Sequence, residues 1–333
     1  MIRIGVIGYG YWGPNIVRNF SSAEGAALGA VCDKNPEVLK KVAANHAGVT
    51  TVTDWREITE SPDIDAVAVV TPVSFHYPLA KSALENGKHV FVEKPFTESS
   101  DHARELMDLA ARKNLTIMVD HTFLFTGAVR KMKETVASGE LGTVLYYDST
   151  RVNLGLFQHD VNVIWDLAPH DFSIMDYVVG EKPVAVSACG SSHFYQHENV
   201  AYITVFFDTS MIAHFNVNWL SPVKLRTTLI GGEKKMLVWN DVSPDDKIKI
   251  YDKGVAVSDR EDIHDLLVSY RSGDMYAPRL EQTEALKLGT SHFLECVDNG
   301  AKPISGPEEG LLVVRLLEAC ERSVKSKGAM VML

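Results

Sequence analysis

Apolar residues in the first 120 positions gather into short runs separated by longer stretches of helical period. The runs at 2–7, 28–32, 66–70, 89–92 and 116–119 are almost wholly apolar, as strands covered on both faces require. Between them, residues 36–46, 77–86 and 99–113 space their apolar positions three and four apart, which predicts helices. Ser99 or Ser100 ahead of Asp101 marks a helix start, and Gly87 after Asn86 a helix stop. Strand and helix in alternation predict βαβ units and a parallel sheet.

Beyond about residue 123 the period changes from helix to alternation. One helix at 126–138 leads into period-two stretches at 143–152, 184–191, 200–207, 211–219, 225–230, 235–239 and 247–251. Such stretches without intervening helices predict a large, mostly antiparallel sheet. Two helical segments, 283–299 and 308–323, close the chain. The expected architecture is therefore an α/β Rossmann domain at 1–122 followed by an α+β domain at 123–333. Alternating apolar residues such as Val200, Ile203, Val205 and Phe207 predict a sheet face that associates unless something covers it. A homodimer or homotetramer follows as the expectation.

The first run leads straight into Gly8-Tyr9-Gly10-Tyr11-Trp12-Gly13, three glycines at G-x-G-x-x-G spacing. The first permits the tight turn, the second lets a pyrophosphate approach the backbone, and the third lets the next helix pack close. The run at 28–32 ends in Asp33, about twenty residues on, where an acid can bind a ribose 2′-OH. This spacing predicts a dinucleotide site. Asp33 favours NAD, since it would repel a 2′-phosphate, whereas Lys34 beside it would tolerate one.

Composition narrows the classes. The chain has 333 residues, 46% hydrophobic and 23% charged, and a net charge of −10, which argues against a broad nucleic-acid surface. Four cysteines lie far apart, suggesting neither a disulfide framework nor a zinc site. No apolar run is long enough for a membrane span, and the chain opens on a strand without a basic, signal-like segment, so a cytoplasmic protein is expected.

Two further groups carry chemistry. Glu93-Lys94-Pro95 follows the 89–92 strand, placing Lys94 at the edge of a parallel sheet where ligands sit. Asp166 and His170, four apart on a predicted helix beginning at Trp165, can face one side. Oxidising an alcohol requires a base for the hydroxyl proton. Neutral His170 can accept it, with Asp166 orienting the ring, while Lys94 can stabilise the developing alkoxide or, with a lowered pKa, be the base itself. Read singly, Asp166 could equally cap its helix. His76, His121, His159, His193, His197 and His214 read as structural, and no metal-ligand spacing is present.

Together these motifs resemble the Gfo/Idh/MocA oxidoreductases. Residues 8–13, Thr71-Pro72 with His76, Glu93-Lys94-Pro95, and the D-x-x-x-H of Asp166 and His170 occur in that family's order. The resemblance implies NAD(P), no metal, and reaction at a sugar-like hydroxyl. It implies that Thr71, Pro72, His76, Glu93 and Trp165, with the glycine loop including Tyr11 and Trp12, line the cofactor, and that His170 touches substrate. Asp120-His121 stands where many members carry Asn. The wording Trp165-Asp-Leu-Ala-Pro-His170 is similar to the branch acting on nucleotide-linked sugars, which implies a UDP-N-acetylhexosamine oxidised at C3 to a 3-keto sugar that an aminotransferase would consume. A diphosphate wants cationic partners, for which Arg151, Arg226, Arg271 and Arg279 are the candidates, with Asn153 nearby. The 271–279 segment reads as a substrate-facing loop. An inositol or free-sugar dehydrogenase, or a non-catalytic NAD-binding regulator, are the alternatives.

Overall fold

The apolar runs of the first part pair as β1 Ile2–Ile7, β2 Ala26–Cys32, β3 Thr50–Val52, β4 Ala66–Val69, β5 His89–Glu93 and β6 Ile117–Asp120. In this computed structural model, which describes residues 1–155, 158, 161–194, 196–257 and 268–333, they form one sheet in the order β3-β2-β1-β4-β5-β6. Every pairing in it is parallel. Helices α1 Gly13–Ser22, α2 Pro36–Asn45, α3 Arg56–Thr59, α4 His76–Glu85 and α5 Ser100–Lys113 connect the strands. All four residues of β4 are buried, which explains their lack of polar alternation. Strand order reverses between β1 and β4, and ligands of open α/β sheets bind at the carboxyl ends beside such a reversal. Ser99 caps α5 by accepting the His102 N–H, as its sequence predicts.

A second compact unit begins at Thr126. Here α6 Gly127–Ala137 precedes β7 Val144–Leu154, α7 Val163–Val179, β8 Pro183–Ser191, β9 Val200–Phe207, β10 Ile212–Asn218, β11 Leu220–Gly232, β12 Met236–Asn240 and β13 Ile248–Tyr251. A ribbon of β14 Gly254–Val257 and β15 Val268–Arg271 follows, then the short β16 Met275–Tyr276 and, near the C-terminus, β17 Val331–Met332. The nine-stranded sheet runs β16-β13-β12-β11-β7-β10-β9-β8-β17, with only β7 and β10 parallel among its described pairs.

Three expectations change. Ile203, Val205 and Phe207 are buried, not exposed, because α7 packs on their side of the sheet, where Phe172 meets Phe215 edge-on at 5.0 Å. Tyr202 and Ile212 on the other face are exposed instead, at 49% and 42%. Alternation shows that a strand has two faces but not which one a helix covers. The segment at 271–279 is not simply a loop, since β15 ends in it and β16 lies within it.

The third change concerns the domains. The first unit comprises Met1–Phe125 and Thr283–Arg315, the second Thr126–Gln282 and Leu316–Leu333, so the chain returns to its first unit. The physical reason is aromatic packing. Helix α8 Ala285–Asn299 carries Phe293, whose ring stands edge-on to Phe20 at 6.2 Å and Phe91 at 5.6 Å. Ser305 then pairs with β6: its carbonyl accepts the Val119 N–H at 2.8 Å and its hydroxyl donates to the Val119 carbonyl at 2.7 Å. Helix α9 Pro307–Lys325 gives its residues through Arg315 to the first unit and the rest to the second.

Candidate active site

Strand β1 delivers the glycine loop to the carboxyl edge of the first sheet. Gly8 has φ +102°, and a Cβ there would lie 2.1 Å from the Val70 carbonyl oxygen. Its N–H donates to the Cys32 carbonyl at 2.8 Å, fixing the loop beside the end of β2. A Cβ on Gly13 would stand 2.6 Å from the Gly8 carbonyl oxygen, so only glycine lets α1 start this close. Gly10 differs: a Cβ there would meet nothing within 4 Å. That open flank is where a diphosphate can approach the backbone. Helix α1 starts without a side-chain cap or an acid in its first turn, leaving its positive end for an anion.

A cleft of about 350 Å³ adjoins this loop, lined among others by Gly10, Asp33, Lys34, Thr71, Pro72 and Phe75. Asp33 is oriented by two backbone donors, Tyr9 N–H and Asn35 N–H, each at 2.8 Å. The Lys34 ammonium lies over the Phe75 ring, 5.0 Å from its centre. Thr71 Oγ1 is buried without a hydrogen-bond partner, an orphan polar atom of the kind a bound group satisfies. Open flank, aimed acid and orphan hydroxyl all fit a dinucleotide.

His76 does not line this cleft. It is buried, and its ring nitrogens lie 2.8 Å from the carbonyl oxygens of Thr71 and Pro95. Burial holds its pKa below the ordinary imidazole range, so the neutral ring donates to one carbonyl at a time. It braces the segment after β4 against the segment after β5. Tyr11 is 93% exposed at the loop tip, and the Trp12 indole donates to Asp120.

Lys94 stands half-buried one residue past β5. Its charge acts on four neighbours: Glu93, Asp120, His76 and His121. Glu93 and Asp120 are register partners at the carboxyl ends of β5 and β6. Burial pushes the Glu93 carboxyl well above the usual carboxylate range, and Asp120 beside it pushes in the same direction. His121 is fully buried with neither ring nitrogen partnered, and burial drives its pKa down to about 3. Sequence reasoning marks Asp120-His121 only as a departure from the family's Asn, treats His121 as structural and assigns Asp120 no role. The signal was present as two polar residues at the end of an apolar run.

In the second unit, α7 starts two residues before Trp165 because Asn162 caps it, accepting the Ile164 and Trp165 N–H groups at 3.1 Å each. Asp166 is therefore not the cap. Its Oδ2 accepts the Trp219 indole N–H at 3.0 Å. Asp166 and His170 are both half-buried one helical turn apart, whereas Trp165, Ala168, Pro169 and Asp171 around them are buried. Gly155 packs closely against the Trp219 ring, and the Asn153 amide lies beside the same glycine. His159 lies outside the described residues.

The arginines fare differently. Arg151 is 2% exposed and paired with Asp171, Nε to Oδ2 at 2.8 Å and Nη2 to Oδ1 at 3.1 Å. It lies inside the sheet's covered face instead of at an open edge, and a carboxylate already meets its fork. Arg226 reaches Asp241 at 3.4 Å, and Arg271 pairs with Asp252. Arg279 is exposed.

Comparison with known proteins agrees with the cleft. Residues 2–121 match the family profile described as an oxidoreductase family with an NAD-binding Rossmann fold, and residues 129–238 match the Gfo/Idh/MocA C-terminal domain. The chain belongs to the Gfo/Idh/MocA family. Its first unit is thus an NAD-binding Rossmann fold. The scyllo-inositol 2-dehydrogenase (NAD(+)) of Bacillus subtilis is 27% identical over 91% of this chain and 88% of its own length. The UDP-N-acetylglucosamine 3-dehydrogenase of Acidithiobacillus ferrooxidans is 30% identical over 57% of this chain and 58% of that one. A solved structure under the latter name superposes with a TM-score of 0.81 at 22% identity, over 98% of each chain, which shows a shared fold. Against the first curated relatives it matches, the chain spans 58%, 61% and 51% of their length. In this Gfo/Idh/MocA chain, Gly8, Gly10, Gly13, Asp33, Lys34, Thr71 and Pro72 come together in one unit, whereas Trp165, Asp166, His170 and Asn153 group in the other.

Proposed function

We propose that this protein is an NAD-dependent dehydrogenase of a secondary ring hydroxyl in a sugar or cyclitol. The observation that carries the reading is the open flank of Gly10 beside the oriented Asp33, on the strand edge that also presents Lys94. The glycine loop with Asp33 would hold NAD, which would supply the hydride acceptor for oxidation of the carbinol carbon. The hydroxyl proton goes to a side chain, and the products are a ketone, NADH and a proton. Lys94 donates a hydrogen bond to the reacting oxygen and stabilises the charge it gains. His170 and Lys94 are the two candidates for the base, and Asp166 and Asn153 are assigned to the substrate end. Asp33, with Lys34 turned onto Phe75, supports NAD over NADP.

For the substrate we favour a UDP-N-acetylhexosamine oxidised at C3, supported by the residue order from Trp165 to His170 and by the 30% identical relative. Its 3-keto product would suit an aminotransferase. The relative acting on scyllo-inositol, aligned over 91% of this chain, and the engagement of Arg151, Arg226 and Arg271 by acids support inositol or a free sugar as the second reading. Incubation with NAD and, in parallel, UDP-N-acetylglucosamine, scyllo-inositol and glucose decides between them by NADH absorbance and product mass. Lys94→Ala and His170→Asn should each lower kcat by about 10²–10⁴-fold while NAD affinity holds. Unchanged kcat in both variants, or no NADH from any of the three substrates, would reject the dehydrogenase reading. A homo-oligomer through the sheet face carrying Tyr202 and Ile212 is part of the proposal, and light scattering showing a monomer would remove it.

A further inference from the structure

We propose that Arg151 and Asp171 are positioning residues, whose buried fork fixes the turn of α7 that carries Asp166 and His170. That turn lacks one of its own hydrogen bonds. Pro169 stands inside α7, and without an N–H it removes the helical bond that would close on the Trp165 carbonyl. The missing bond lies in the single turn between Asp166 and His170. Part of the turn's place and angle therefore comes from side chains that reach outside the helix.

Anchors of this kind stand at both ends of the turn, all within the second unit. Asn162 holds the start of the helix, and Asp166 accepts the Trp219 indole N–H at 3.0 Å. The next anchor follows His170 directly. Asp171 Oδ2 accepts Arg151 Nε–H at 2.8 Å, and its Oδ1 accepts Arg151 Nη2–H at 3.1 Å and the Ser149 hydroxyl at 3.0 Å. Ser149 and Arg151 are two apart on β7, so both point to the face that α7 covers. β7 pairs with β10 on one side and β11 on the other, which makes it a fixed support.

Stability alone does not explain the fork. Ser149, Arg151 and Asp171 are each no more than 2% exposed. Burying two ions costs about as much as their attraction returns, so a well-packed apolar pair can hold a helix on a strand as firmly. What an apolar pair lacks is direction. A two-point fork on a planar guanidinium fixes one orientation. Asp171 stands only about 100° round the helix from His170, so what orients one orients the other. A rotation of α7 would break both N–H···O bonds and swing Asp166 and His170 together. The consequence for catalysis rests on the dehydrogenase reading, but the fixing of the turn does not.

Two variants of the whole protein test it, read by nuclear magnetic resonance of the Trp219 indole N–H and by kinetics with NAD and the alcohol that turns over. Trp219→Phe assigns the indole signal among the five tryptophans. Arg151→Lys keeps the charge and loses the fork. Arg151→Met with Asp171→Val removes both charges at about the same combined volume, so its melting temperature should stay close to wild type. In both variants the indole resonance should move, and kcat should fall about ten- to a hundredfold while NAD affinity holds. A double variant that melts like wild type and keeps both kcat and the indole resonance would show the pair to be packing alone and overturn the proposal. Arg151→Lys with both readouts unchanged would do the same. Should neither variant fold, the wild type decides: Arg151 Nε–H must resist exchange with heavy water, and free exchange overturns the proposal. If no tested alcohol turns over, the dehydrogenase reading fails, while the indole resonance still judges the fixed turn.

Discussion

Gly8 and Gly10 are two residues apart and answer to different constraints. Gly8 has a positive φ and no room for a Cβ, while Gly10 has room for one that only a ligand would contest. Gly8→Ala should therefore destabilise the protein by more than about 1 kcal/mol. Gly10→Ala should stay within about 0.5 kcal/mol of wild-type stability, yet weaken NAD binding at least about tenfold, because its methyl would stand where the diphosphate approaches. Chemical denaturation and NAD titration check both, and a Gly10→Ala protein with unaltered NAD affinity would contradict the assignment. The glycine spacing and Asp33 were legible in the sequence, because one loop and one strand end carry the whole signal. Arg151 was not legible. Its partner Asp171 lies twenty residues on, and only the packing of α7 on β7 shows that a side chain proposed for a diphosphate is buried against an acid.

At the scale of elements, α7 separates capping from chemistry. Its cap is Asn162, which also donates to Glu198 at 3.0 Å, whereas Asp166 faces Trp219. Asn162→Ala should lower stability by about 1 kcal/mol. Asp166→Asn should leave the melting temperature nearly unchanged, since an amide oxygen can still accept from the indole, while kcat falls. Thermal melts alongside initial rates distinguish the two, and a stability loss in Asp166→Asn larger than in Asn162→Ala would mean that Asp166 is structural. Long periodic elements were read correctly from pattern, but the two- and three-residue strands were not. β3 is a half-exposed Thr-Thr-Val and β17 a Val-Met pair, too short for any period to register. β11 extends back to Leu220 across a register break that contains Pro222, and a proline in a strand pattern reads as its end.

The chain's path through its two units appears only at the scale of the whole molecule. Residues 283–315 return to the NAD-binding unit, where Phe293 joins Phe20 and Phe91. Phe293→Ala should cost about 3–5 kcal/mol, as loss of a fully buried aromatic does, and NAD should protect the variant against heat less well than wild type. A melting temperature equal to wild type would refute the packing account.

What the sequence determined by itself was whatever nearest-neighbour geometry specifies: the alternation of strands and helices, the glycine turn, the acid at the end of β2 and the lysine after β5. Each needs only a few consecutive residues to express its physical reason. The tertiary structure alone decided which sheet face is covered, where the closing helices dock, which arginine meets an acid, and that Glu93 and Asp120 stand side by side. Those outcomes depend on partners distant along the chain, and burial, which sets both their packing and their protonation, exists only once the partners have met.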